Sequence, residues 1–283
     1  MKKAFLYILL VFSFSSCEKV VNNLTTDNTV DGLKEALRVC TVIASEQLGM
    51  EDGYLMDETV KICLPEEAQT TFKAVKTIQS ILNHPSVPSS LSVIDVSGLD
   101  ADFENVLITA FNRAAEDAAP QSVEIFVAAI NSMTIDDGTN ILFSSNKQAA
   151  TNYLAEKTTG DLTLAFSPVI NESLDKVKIA DYNATTAWAT YATKNNQLAT
   201  TLKNSVVQSG INTAVEFNLI TNEQKSLINS IDVVKTDLGE YVTSKALDGL
   251  FNKIGTHEYK IRTDATARIN DLLRDVFGKL DNK

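Results

Sequence analysis

Two histidines stand in the whole chain of 283 residues, His84 in the proline-bearing loop HPSVP and His257 beside Glu258. Only three cysteines accompany them. Zinc and related sites draw their ligands from clustered cysteine and histidine, so no metal and no cofactor is expected. No GxSxG, HExxH, P-loop or GxGxxG run occurs, and without such a frame no catalytic residue is assigned. Basic residues are also scarce, 25 against 36 acidic ones, for a net charge of −11. That balance excludes nucleic acid as a partner and disfavours electrostatic binding to an anionic membrane surface. Glycine (11) and proline (5) are few and alternating β-branched runs are rare, which points to helices throughout. The one marked apolar run, Ala4–Val11, is too short to span a bilayer as a helix.

That run has a context. Residues 1–17 read MKKAFLYILLVFSFSSC, with two lysines, the apolar stretch, then Ser15 and Ser16 before Cys17. The three-part layout is that of a secretory signal, and small residues directly before a cysteine resemble a bacterial lipobox, with Phe14 where leucine is frequent. The expectation is a signal peptide at 1–16, lipid attachment at Cys17, and a polar tether over 17–30 (EKVVNNLTTDNTV after the cysteine). A lipid there would hold the protein to an envelope membrane, on the periplasmic face or the cell surface and in the outer membrane, while the rest stays outside the bilayer. Loss of Lys2 and Lys3 with the signal takes the charge from −11 to −13. Cys40 and Cys63 then remain as an even pair in an oxidising compartment. A disulfide between them is expected to contribute about 3 kcal/mol by closing its loop; two free thiols are the competing reading.

Residues 31–283 read as one helical domain of antiparallel packed helices, all-α, with at most one short extended segment near 60–64, where Val60, Ile62 and Leu64 alternate with Lys61 and Cys63. Helical spacing covers 31–48, 66–82, 146–157, 160–177 and 182–195, with a helical-hairpin insertion near 200–230. Phe103, Val106, Leu107, Ala110, Phe111, Ala114 and Ala118 share one arc. Pro120 then starts a second helix or kinks a continuous one. Thr134 and Asp137 have the spacing of a capping box. Asp136, Asp137 and Asn140 lack the run of an EF-hand loop and suit the first turn of a helix better than calcium.

From Asp237 to Arg262 the chain is apolar on two sides, as a central helix would be, and Glu258 falls on a buried arc. An isolated buried charge is costly, and Arg262 stands four residues on, the spacing of an ion pair on one face. A structural staple is one reading. The other is a polar pocket built from Asn112, Glu116, Glu258, Arg262 and Arg268.

Several segments in order carry a resemblance: GLKEAL (32–37), EDGYL (51–55), VKICLPEE (60–67), NRAAEDAAP (112–120), IFVAAINSMTIDD (125–137), QAATNYL (148–154), DLGEYVTSKALDGLF (237–251) and the tail pieces HEYKIR, ATAR and VFG. Together they resemble the domain-of-unknown-function 4197 family of bacterial envelope proteins. The resemblance implies a single, mostly helical domain and export, and implies no activity. The chain departs from the family pattern at Gly138, where alanine is usual, and at His257, where an acidic residue often stands. The function expected is that of an exported, lipid-anchored binding or interaction module. It would be held to the membrane by the Cys17 lipid, with an envelope protein or small ligand as partner. The alternative is a hydrolase or lyase using Glu116, Glu258 and Arg262 in a buried helical pocket, the two carboxylates serving as acid and base.

Overall fold

Helix follows helix along the chain, as the shortage of glycine and proline requires. The computed structural model describes residues 26–99, 104–179 and 181–278. The signal peptide, Cys17 and the first part of the tether lie outside them. Among the described residues the helices are α1 (Thr26–Gly49), α2 (Glu66–Leu82), α3 (Glu104–Ala118), α4 (Ser122–Ser132), α5 (Ile135–Leu142), α6 (Ala149–Lys176), α7 (Ala184–Leu202), α8 (Ser205–Glu216), α9 (Asn222–Asn229), α10 (Leu238–Thr263) and α11 (Asp271–Gly278). The all-α expectation holds.

Long α10 and α6 form the centre and pack most extensively on each other. α3 lies on α6, and α1 crosses α10, α4 and α5. Leu154, Leu162, Phe166, Leu250 and Ile254 are wholly buried between these layers, each contributing about 1.5–3 kcal/mol of transfer free energy. On α3, Leu107, Ala110, Phe111, Ala114 and Ala118 are buried as the spacing predicts, while Val106 is exposed. Its alanines let neighbouring helices approach closely. Ala119–Gln121 forms a single 3-10 turn between α3 and α4, so Pro120 re-aims the chain. At α5, Thr134 accepts from the Asp137 amide and Asp137 accepts in return, closing the expected box.

Four features differ from the sequence reading. α1 begins at Thr26, inside the expected tether. Residues 149–176 are one helix, not two, because exposed Gly160 and exposed Pro168 interrupt it only on the solvent side, where water replaces a lost partner. Residues 61–65 are extended but unpaired, and the strand pairing among the described residues is the two-residue hairpin β1 (Lys178–Ile179) with β2 (Tyr182–Asn183). The expected Cys40–Cys63 disulfide is absent, and both thiols are free. Cys40 is buried on α1, while Cys63 faces outward between buried Ile62 and Leu64, so the alternation that buries its neighbours turns its own side chain to solvent. Within 200–230, α8 and α9 pack on each other, on α2 and on the turn Ser89–Leu91.

Candidate functional site

The five residues grouped by sequence into one pocket fall into two buried clips. The first is on α3. Asn112 is fully buried; its Oδ1 accepts from the Ile62 amide (2.8 Å), and its Nδ2 donates to the carbonyls of Ile62 (2.9 Å) and Ile108 (2.7 Å). One amide side chain thus acts as a strand partner for an extended segment that has none of its own. One turn on, Glu116 Oε1 accepts from the amides of Tyr54 (3.1 Å) and Leu55 (3.3 Å), and Oε2 accepts from Arg113 at 2.6 Å. Arg113 also reaches Asp52 at 2.8 Å, and these carboxylates raise its pKa, Glu116 foremost. Tyr54 is wholly buried and donates its hydroxyl to the Ala246 carbonyl on α10 at 2.7 Å; burial raises its pKa far above the usual phenol value. This clip ties the loop 52–62 to α3 and α10. Along the polar side of α3, Asn105 and Thr109 face solvent, whereas Asn112 and Glu116 do not.

The second clip sits where α5 hands over to α6. The first turn of α6 has no side-chain cap from Gln148. Glu258 of α10 supplies it from a distance: Oε1 accepts from the Ala150 amide (3.0 Å), and Oε2 accepts from the Thr151 amide and hydroxyl (both 2.8 Å). Arg262 donates Nε to Glu258 Oε1 at 2.8 Å and its terminal nitrogens to the carbonyls of Ile141 (3.1 Å) and Leu142 (3.3 Å), the last two residues of α5. Negative charge is thereby set at one helix N-terminus and positive charge at another's C-terminus, each favourable to the local dipole. The Arg262 guanidinium lies 5.8 Å from the Phe277 ring centroid. Arg268 donates to the Ile261 carbonyl at 3.0 Å. Cys40 is close by: burial, and then the charge of Glu258, push its thiol up to about 12. His257 is half-buried, meets Gln47 at 3.2 Å, and has a lowered pKa, chiefly from burial.

Open space lies elsewhere, around the N-terminal half of α10. A cleft of about 530 Å³ separates α10 from α6, with Thr163, Ser167 and Asn171 on one wall and Glu240, Ser244 and Asp248 on the other. A second of about 480 Å³ lies between α10 and the start of α2, with Leu64, Pro65, Trp188, Val233, Tyr241 and Lys245 in its lining. A smaller one of about 290 Å³ includes Cys63 and Asn252. Glu240 and Ser244 line both larger clefts, so this part of α10 is a rib between two depressions. Tyr241 donates to the Cys63 carbonyl at 2.8 Å, and burial pushes its hydroxyl up to about 12. The candidate pocket residues line none of these clefts. The sequence reading missed the rib, although the four-residue spacing of Thr159, Thr163, Ser167 and Asn171 marks a polar stripe on an otherwise packed helix.

The family described as "Protein of unknown function (DUF4197)" matches residues 23–278. No curated protein and no solved structure matches the chain. The chain belongs to the DUF4197 family.

Proposed function

We propose that this family member is exported, anchored by a lipid on Cys17, and works as a binding or interaction module whose contact surface is the α10 rib and its two clefts. The observation that carries the binding reading is the state of the buried acids. Both oxygens of Glu116 and both of Glu258 already accept hydrogen bonds from backbone amides, hydroxyl or guanidinium, which leaves neither placed to exchange a proton with a substrate. The clefts beside the rib, in contrast, present Asn171, Ser244 and Asp248 toward open volume. The layout of residues 1–17 supports the anchor.

Two measurements test the two halves. Fatty-acid label fed to expressing cells should enter the wild-type protein and not Cys17→Ala; equal labelling of both removes the anchor. Native mass spectrometry of the full chain purified from its own envelope should show added mass or a co-purifying protein. Ser244→Trp, a bulky change at an exposed residue that lines both clefts, should abolish it with unchanged melting. Retention of the same adduct by Ser244→Trp refutes the rib as the binding surface.

A further inference from the structure

α4 has an apolar side that the fold covers only in part. Its sequence SVEIFVAAINS is apolar nearly all round, a pattern that belongs to a helix enclosed on every side. Phe126 and Ile130 do face the core, yet Ile125 and Ala129 are only half-buried and Ala128 is exposed. With α6 they form a groove of about 520 Å³, floored by Ile125, Ala128 and Ala129 and rimmed by Glu124, Lys157 and Asp161. On the same face of α6, seven residues beyond Lys157, Leu164 stands 77% exposed, about 10 Å farther along the helix axis. No other large apolar side chain among the described residues is so exposed.

We propose that this face pairs with a second copy of the chain, Leu164 of each copy seating in the α4–α6 groove of the other. A projecting apolar side chain and an apolar recess lie side by side on one surface, which is the requirement for an isologous two-fold contact, where each patch supplies what the other lacks. The small side chains of Ala128 and Ala129 leave the depth a leucine needs. Charge complementarity fits the same partner: the rim carries both signs, Glu124 and Asp161 with Lys157. Under a two-fold, Lys157 of one copy, whose ion pair within its own chain is with exposed Glu156 at 3.4 Å, meets a rim carboxylate of the other. A rim of one sign would have called for an oppositely charged partner. Leu164→Asp would set an unpaired carboxylate in that apolar seat, which is costly to desolvate.

The test uses the full chain in its membrane, in a Cys63→Ser background so that the exposed native thiol does not react. Ala128→Cys together with Leu164→Cys should yield a dimer on mild oxidation, and a cysteine at exposed Thr200 should not. Light scattering of the detergent-purified protein, with detergent mass separated, should give a dimer that Leu164→Asp weakens at least tenfold. Melting should be unchanged, since Leu164 contributes little to the core. Lys157→Glu should weaken the dimer as well. A monomer at every concentration overturns the proposal, and so does a dimer that tolerates Leu164→Asp. Equal cross-linking through Thr200→Cys overturns it too, because it signals random collision.

Discussion

Glu258→Gln separates a structural from a chemical role for the most conspicuous buried acid in the chain. Glu258 is 4% exposed and takes hydrogen bonds from Ala150, from both donors of Thr151 and from Arg262. Glutamine keeps the shape but replaces one acceptor oxygen with an amide nitrogen, so at least one backbone or guanidinium donor faces another donor. Arg262, with a 3%-exposed side chain, also loses its counter-charge. Breaking a buried pair on one side costs about 3–5 kcal/mol, and a domain of this size loses about 2–4 °C of melting temperature per kcal/mol. A drop on the order of 10 °C is therefore expected, with a matching fall in urea midpoint at unchanged slope. Arg262→Met removes the stranded charge, so the double variant should be more stable than the sum of the single losses by about 1–3 kcal/mol. Amide exchange should quicken at residues 150 and 151, whose N–H groups lose their cap. If Glu258→Gln melts within ~0.5 kcal/mol of the wild type, or the two changes simply add, the clip is not what holds this junction.

Three further outcomes follow from named contacts. A Cβ at Gly138 would lie 2.6 Å from Val30 Cγ1. Gly138→Ala should therefore lower stability by about 1–3 kcal/mol; Val30→Ala in the same chain should recover part of that loss in a thermal melt, and a neutral Gly138→Ala refutes the fit. In a Cys17→Ser background the folded protein should react with one equivalent of maleimide, at exposed Cys63, and take up a second at Cys40 only on unfolding; rapid double labelling of that folded variant counts against the burial of Cys40. Asp57 is lowered from 3.8 to about 2, first by its hydrogen bond from Lys253 and then by Thr59. A depressed carboxylate stabilises the fold above its unfolded value and stops doing so as pH falls through the folded one. Asp57→Asn should thus be less stable by about 1 kcal/mol at neutral pH, after allowance for partial exposure. The gap should close between pH 4 and pH 2, as read by urea titrations, and a pH-independent gap would rule out this linkage.

Periodicity was enough wherever a helix is bounded by its own residues. EEAQTTFKAVKTIQSIL follows Pro65 and became α2 with the expected limits, and the Thr134–Asp137 box is a local signal with a local effect. Sequence reasoning weakened where the partner is remote. The spacing of Glu258 and Arg262 predicts their pairing, but Ala150 and Ile141, more than a hundred residues away, decide that the pair caps two helix ends. The disulfide expectation failed for a different reason. Counting cysteines carries no information on side-chain direction, whereas the alternation around Ile62 and Leu64 already turned Cys63 away from the core. The β1–β2 hairpin pairs two residues a side, too few for any alternating pattern to register.

On the proposed function, the two halves of α10 divide stability from recognition. From Ile254 to Arg262 the inner face of the helix packs toward α1, α5 and α6, and its buried polar groups, Glu258 and Arg262, are consumed in joining α5 and α6. From Asp237 to Asn252 its outer residues stand between clefts, and the ion pairs there, Lys235 with Glu240 and Lys245 with Asp248, are well exposed and contribute little to folding. Substitutions at Glu240, Ser244 and Asp248 should therefore alter what the protein holds without altering its melting. Substitutions at Glu258 and Arg262 should do the reverse, lowering stability and leaving the affinity of the remaining folded molecules unchanged. A single set of variants scored for both properties decides the assignment. Loss of binding in Glu258→Gln at a temperature where it remains folded would return the buried acid to the site. Loss confined to the rib variants leaves it a clip.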